Sequence, residues 1–290
     1  MAEAEPKVLE SNAALGQTLE HPAPILQAVP APVSRVEQMS SLESWARIFA
    51  GLVWMGFSVI TFSTILVLLL PFRQLRIRVS NFFGTIAGGG CAKLSGSRIH
   101  IKNHDEALKV GPAIYVSNHT SILDIMFGIW LCPYGTVGVG KKEVIYYPFF
   151  GQLFALAGHL RIDRSNKEKA VASLKTLESF VQQNKLSIFM WPEGHRSTDG
   201  RIRSFKKGIA HMAFATGLPI VPMVVKGAHH AWENRQLRLA RTDIEIEFLP
   251  AVDTSSWTIE NMEQRLLDLE QLFIENLPEE QLPLVANDVN

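Results

Sequence analysis

Cysteine is scarce in this sequence: Cys91 and Cys132 are the only two in 290 residues, and they lie far apart. Such a pair builds neither a disulfide framework nor a zinc cluster and fits a reducing compartment. The chain contains no G-x-S-x-G and no G-x-x-x-x-G-K-[ST] stretch. The first absence disfavours a serine-hydrolase elbow and the second a nucleotide-dependent transfer. Net charge is absent too, with 28 basic against 28 acidic residues. No stacking aromatics are interleaved with the basic stretches, so nucleic acid is not an expected partner. No internal repeat is visible.

What is present is apolar and unevenly charged. The chain is 47% hydrophobic and only 19% charged, which is apolar for a soluble enzyme and suggests contact with a membrane. Residues 141–210 carry thirteen basic against six acidic groups, and residues 251–290 carry one against nine. A local positive surplus inside a neutral whole points to an anionic ligand or membrane surface, with plain solvated charge as the alternative.

Residues 1–40 hold five of the fifteen prolines without sustained periodicity, so a disordered tail is expected there. From Ile48 to Leu70 run 23 residues without a charge, longer than the roughly 20 that span a bilayer as a helix. Trp45 and Trp54 sit near its start, and Arg73, Arg76 and Arg78 follow it, against Arg35 and Arg47 before. That bias predicts a membrane protein whose C-terminal side, with the domain it carries, faces the cytoplasm. Residues 73–92, basic and then glycine-rich, are expected on the membrane surface, which leaves a spanning helix and a shallow hairpin both open. Residues 41–97 are therefore read as a membrane segment with an interfacial region.

Beyond residue 97, short β-prone runs ("AIYVS", "TVGVG", "LSIFMW", "LPIVPMVV", "IEIEFL") alternate with helical patterns. This predicts an α/β domain over 98–252, a mostly parallel sheet flanked by helices, with its site in loops at the strand C-terminal ends. After Asp163, Ser165-x-x-Glu168 reads as a capping box, and Ala170, Val171, Leu174, Leu177, Phe180 and Val181 as one core stripe. Residues 253–290 form an acidic C-terminal segment whose helix carries Met262, Leu266, Leu269, Leu272 and Phe273 on one face.

The polar run Ser117-Asn118-His119-Thr120-Ser121 interrupts an apolar stretch, and Asp124 follows five residues after His119. His119 is expected in a strand-to-helix turn, with Thr120 or Ser121 as the helix N-cap and Asp124 in the first helical turns. Two readings stay open at this point. A carboxylate on Nδ1 would leave Nε2 free as a base; the alternative is a capped helix start with an incidental histidine. Asp163 and Arg164, then Glu193, Gly194, His195 and Arg196, then Lys206 and Lys207, follow other expected strands or precede a helix. Together they make a base beside a cationic, phosphate-sized pocket.

Asn118-His119-x-x-x-x-Asp124, Arg161-Ile162-Asp163-Arg164, Pro192-Glu193-Gly194-His195-Arg196-Ser197 and Leu218-Pro219-Ile220-Val221-Pro222 resemble, in order and spacing, the four motifs of the 1-acylglycerol-3-phosphate acyltransferase family. The resemblance runs from about residue 73 to 250. It implies catalytic roles for His119 and Asp124, and an acceptor and phosphate pocket built from Arg164, Glu193, Gly194, Arg196 and Lys141. It also implies a lysophospholipid acceptor, acyl-CoA or acyl carrier protein as donor, a bilayer as partner, and neither a cofactor nor a metal. Trp191 and His195 depart from the family's usual aromatic and threonine. His195 sits in the expected acceptor pocket, so glycerol 3-phosphate, another lysophospholipid or a lyso-aminolipid are alternative acceptors. A metal site from His119, Asp124, Glu193 and His195, and a noncatalytic membrane-tethered binding protein, are more distant alternatives. Backbone N–H groups near Thr120 are candidate donors to the oxyanion.

Overall fold

In the computed structural model, residues 35–148, 150–163, 167–232 and 237–284 are described. Arg164, Ser165 and the expected tail up to residue 34 lie outside them, as do the side chains of Glu168, Ala170, Val171 and Leu174.

A two-residue strand β1 (Glu37–Gln38) precedes helix α1 (Ser41–Leu68), which holds the apolar run. Ser40 caps it by accepting the Glu43 N–H, and the helix stops shortly before Pro71, whose ring disfavours helical backbone in the preceding residue. Helix α2 (Arg73–Leu94) then returns antiparallel to α1. The Phe62 and Phe83 rings stack, Trp54 Nε1 donates to the Ala87 carbonyl at 3.2 Å, and Arg47 donates to the Leu94 carbonyl at 3.3 Å.

The remaining elements alternate: β2 (Arg98–Lys102), α3 (His104–Lys109), β3 (Ile114–Ser117), α4 (Leu123–Leu131), β4 (Thr136–Lys141), a 3-10 turn (Lys142–Tyr146), α5 (Phe150–Ala157), β5 (Leu160–Ile162) and α6 (Lys167–Asn184). There follow β6 (Ser187–Met190), α7 (Gly208–Thr216), β7 (Ile220–Lys226), α8 (Ala228–Ala231), β8 (Ala240–Arg241), β9 (Asp243–Phe248), α9 (Met262–Asn276) and a second 3-10 turn (Glu279–Gln281). Gly217, in the left-handed region, ends α7.

Seven strands form one sheet in the order β2-β9-β7-β3-β6-β4-β5. The five from β7 to β5 are parallel; β9 runs antiparallel to β7 and carries β2 with it. Both faces are covered, as such a sheet requires. Ile114 and Val116 enter a core with Leu177 and Val181 of α6, Ile209 and Ala213 of α7, and Leu266 and Phe273 of α9. Tyr115, between them in β3, points the other way, into a core with Leu123 and Phe127 of α4. The acidic C-terminal helix is thus part of the first core, with Met262, Leu266, Leu269 and Phe273 buried.

Residues 73–92 belong to α2, which packs against both α1 and α4 and leaves Leu75, Phe82 and Ile86 exposed. A Cβ at Gly88 would stand 2.6 Å from the Met126 carbonyl oxygen, so the glycines of this run permit a close helix approach. One expectation needs correction: the tail ends earlier than residue 40, because β1 pairs with β8 and Met39 is buried. α1 is held by the domain at both ends. Near its start Leu239 N–H donates to Ser44 Oγ at 2.8 Å and Arg241 pairs with Glu43. Past its end, Arg73 donates to the Gly158 carbonyl at 3.0 Å. Between these points Phe49, Leu52, Val53, Phe57 and Ile60 face outward, exposed, as does Leu42 just before them.

Candidate active site

Val116 of β3 is in register with Met190 of β6, so these two strands end side by side, while β7 runs on past Pro222 to Lys226. From β3 the chain crosses toward β4, and from β6 it crosses the other way toward β7. The two connections pass over opposite faces of the sheet, α4 on one and α7 on the other, which opens a crevice at the strand C-terminal ends. Asn118 extends the ladder of β3 with its side chain: Nδ2 donates to the Val225 carbonyl and Oδ1 accepts the Val225 N–H, each at 2.8 Å. The next residue, His119, is thereby fixed at the mouth of the crevice.

His119 Nδ1 lies 3.1 Å from Asp124 Oδ2, and Asp124 is fully buried. The same oxygen accepts the Thr120 N–H at 2.6 Å and the Ser121 N–H at 2.7 Å. Helix α4 begins with Ile122 at its cap position and no capping side chain. Of the two expected N-caps, Ser121 Oγ accepts the Leu123 N–H at 3.4 Å, and Asp124 adds to it by reaching back from the first turn. One carboxylate anchors the turn and orients the ring, keeping the proton on Nδ1 and the lone pair on Nε2. The Thr120 and Ser121 N–H groups, expected as oxyanion donors, are already occupied by this carboxylate.

The loop after β6 holds His119 from the other side. Trp191 stacks on the imidazole with centroids 4.5 Å apart and planes at 21°, and Phe189 meets Trp191 edge-on. Glu193 is fully buried; Oε1 accepts the His119 N–H at 2.6 Å and Oε2 accepts the Arg203 N–H at 3.0 Å. Burial pushes its carboxyl up to about 8 despite these two donors. The His119 carbonyl accepts the Ser197 N–H at 2.7 Å. Gly194 turns this loop with φ +81, a conformation that side chains disfavour.

The residues singled out in the sequence thus divide. His119, Asp124 and Glu193 converge, and Glu193 faces backbone donors. Gly194 belongs to the supporting loop, and Arg196 is half-buried beside it. His195 is exposed and borders a cavity of about 400 Å³ with Asp199, Arg201, Arg203 and Lys206. Lys141 ends β4 in register with Ile162, its ammonium 5.3 Å from the Tyr147 ring centroid. Nearby, a cleft of about 640 Å³ is lined by Lys142, His159, Arg161 and Asp163, with Lys142 and Asp163 paired at 3.0 Å. Lys207 turns away to Glu263 of α9. Among the described residues, His119, Asp124, Glu193 and His195 do not form a metal-binding group. The bracing by Asn118, Trp191 and Ser197 has no spacing signal of its own; it lies in residues adjoining the motifs.

A buried histidine–carboxylate pair thus sits at the C-terminal ends of β3 and β6 in a mostly parallel sheet, an arrangement suited to an enzyme. The family model described as Acyltransferase matches residues 98–226. The chain is 42% identical to a 1-acyl-sn-glycerol-3-phosphate acyltransferase of Limnanthes alba, over 84% of this chain and 86% of that protein. It is 35% identical to the Escherichia coli protein of the same name, over 58% of this chain and 68% of that one. The chain belongs to the 1-acyl-sn-glycerol-3-phosphate acyltransferase family and is an acyltransferase. The crystal structure of the 1-acyl-sn-glycerophosphate (LPA) acyltransferase PlsC from Thermotoga maritima shares the fold, with TM-score 0.63 and 20% identity, covering 80% of this chain and 95% of that one.

Proposed function

We propose that the chain moves a fatty acyl group from acyl-CoA or acyl carrier protein to the free hydroxyl of 1-acylglycerol 3-phosphate, giving phosphatidic acid. The acceptor follows the names of its relatives. The observation that carries the chemistry is the His119–Asp124 contact, buried and stacked on Trp191.

An acyl thioester is already activated, so the poorly nucleophilic alcohol limits the reaction. His119 Nε2 takes the hydroxyl proton as the oxygen attacks the thioester carbonyl. The tetrahedral intermediate then collapses, the C–S bond breaks, and the departing thiolate takes that proton back from His119. Asp124 stabilises the transient imidazolium, and general-base help of this kind contributes on the order of 10²–10⁴ in rate. Glu193 and Gly194 hold the backbone that carries His119. Arg196 and Lys141, with Arg164 beyond the described residues, would grip the acceptor phosphate through charge-assisted bonds.

The outward apolar side of α1 is the surface suited to a bilayer. A helix docked on one domain at both ends favours a monotopic arm dipping into one leaflet over a single span. Both substrates carry fatty chains, so this arm would keep the crevice where they partition, with the domain facing the cytoplasm.

The test is acyl transfer in membranes from one labelled acyl-CoA, or acyl carrier protein, to lysophosphatidic acid, glycerol 3-phosphate, neutral lysophospholipids and lyso-aminolipids. Transfer to lysophosphatidic acid that vanishes in His119→Ala is the expected result. Transfer to another acceptor alone would overturn the assignment of substrate, and transfer surviving His119→Ala would overturn the mechanism.

A further inference from the structure

Outside the catalytic turn, a second group of side chains converges. His229 and His230 form the middle of α8, directly after β7, and Glu280 lies in the second 3-10 turn. His230 Nε2 stands 3.1 Å from Glu280 Oε1, and His229 Nε2 stands 3.9 Å from the same oxygen. The two rings are 3.9 Å apart between centroids. One donor atom from each of the three residues lies within 4.8 Å of the others.

The backbone on both sides is fixed by bonds that do not involve these side chains. The buried Gln281 accepts the Gly227 N–H at 3.0 Å and donates to the Val225 carbonyl at 3.3 Å. Its own carbonyl accepts the Ile202 N–H at 2.7 Å, and Arg201 donates to the Leu282 carbonyl at 2.8 Å. The adjacent His229 and His230 and the distant Glu280 are therefore preassembled. His229 adds an independent sign: its Nδ1 is buried with no hydrogen-bond partner in the protein, and the ring packs over Gly200. A buried polar atom left unpaired is costly.

We propose that His229, His230 and Glu280 bind a divalent cation of the zinc class. Two imidazole nitrogens and one carboxylate oxygen are a donor set that zinc accepts in tetrahedral sites, with solvent completing the fourth position. Calcium and magnesium are disfavoured, since they ask for six or more oxygen ligands or keep an octahedral shell of waters. Bringing three ligands from 4.8 Å or less onto one ion needs only side-chain rotation. The ion would have a structural role, with His229 within electrostatic reach of Asp124 but not part of the catalytic pair. It fastens the C-terminal turn to the end of β7, where Val225 also receives Asn118.

The experiment uses the full chain in detergent, stripped with chelator and then titrated with Co²⁺, followed by visible absorption and thermal unfolding, with Zn²⁺ as competitor. The expected result is one equivalent per chain, a tetrahedral-type Co²⁺ spectrum abolished by Zn²⁺, and a raised unfolding temperature. His230→Ala and Glu280→Gln should lose all three while keeping acyl transfer in chelator, which shows them folded. His119→Ala should bind Co²⁺ like the wild type while losing transfer, so the metal site and the catalytic reading fail separately. No Co²⁺ spectrum in the wild type, or the same spectrum in both His230→Ala and Glu280→Gln, overturns the proposal.

Discussion

Replacing Asp124 separates two tasks that one oxygen performs. Oδ2 faces His119 Nδ1 at 3.1 Å and also receives the Thr120 and Ser121 N–H groups. In Asp124→Asn the amide oxygen keeps an acceptor for the backbone but removes the charge. At that separation and an effective dielectric of about 20, the attraction between carboxylate and imidazolium is about 5 kcal/mol. The imidazolium exists only while the acceptor proton is held, so the loss falls on the transition state, and turnover should drop by on the order of 10⁴. Stability should change little. Asp124→Ala also strands two buried N–H groups at about 1–3 kcal/mol each, so it should lose roughly 2–6 kcal/mol of stability as well. The assay pairs single-acceptor acyl transfer with denaturant unfolding of the detergent-solubilised protein. An Asn variant within tenfold of wild-type turnover would refute the electrostatic reasoning. An Ala variant as stable as the Asn variant would remove Asp124 from the scaffold of the turn.

Three further outcomes are expected. Asn118→Ala leaves the Val225 N–H without its side-chain acceptor, while the Val225 carbonyl keeps the Gln281 amide, so unfolding should ease by roughly 1–3 kcal/mol, read by denaturant titration. Glu193→Gln keeps one acceptor for two backbone donors and should lower turnover more than it changes KM. Its pH signature is separate: an unfolded glutamate titrates near ~4.3, whereas burial holds Glu193 at about 8. The native state therefore retains a proton that the unfolded chain has released, so this contribution to stability is full below the lower value and is lost as pH rises through the upper one. Unfolding measured from pH 4 to 9 should show that decline in the wild type and a flatter profile in Glu193→Gln. Finally, glutamates at the exposed Leu42, Phe49 and Phe57 should release the protein from sedimenting vesicles with its unfolding temperature unchanged; persistent binding would show that another surface holds the bilayer.

The parallel core was legible because its strands are short apolar runs such as "IYVS" and "SIFM", separated by helical periodicity and turn residues. The His119–Asp124 pair was legible for a related reason: both partners lie in one local strand–turn–helix, so spacing carries the geometry. The place of α2 was not, because its glycines matter only against the Met126 and Ile129 backbone and side chains of α4, a tertiary fact. The work of Glu193 was hidden as well. Its partners are backbone N–H groups, which every residue but proline possesses, so no residue type announces them. The share of the capping that Asp124 takes beside Ser121 reflects competition among suitable acceptors, which propensity does not rank. His229, His230 and Glu280 meet only through folding of the last described turn onto β7.

The carbonyl of Val225 receives both the Asn118 amide and the Gln281 amide. Synthesis proceeds from the N-terminus, so the segment bearing His119 and Asp124 leaves the ribosome long before Gln281 is made. A nascent chain can assemble β3, β6 and their turns while the peptide that joins them at Val225 is still missing one of its two braces. The strand end that holds Asn118 therefore receives its last brace only once the segment after α9 has been made.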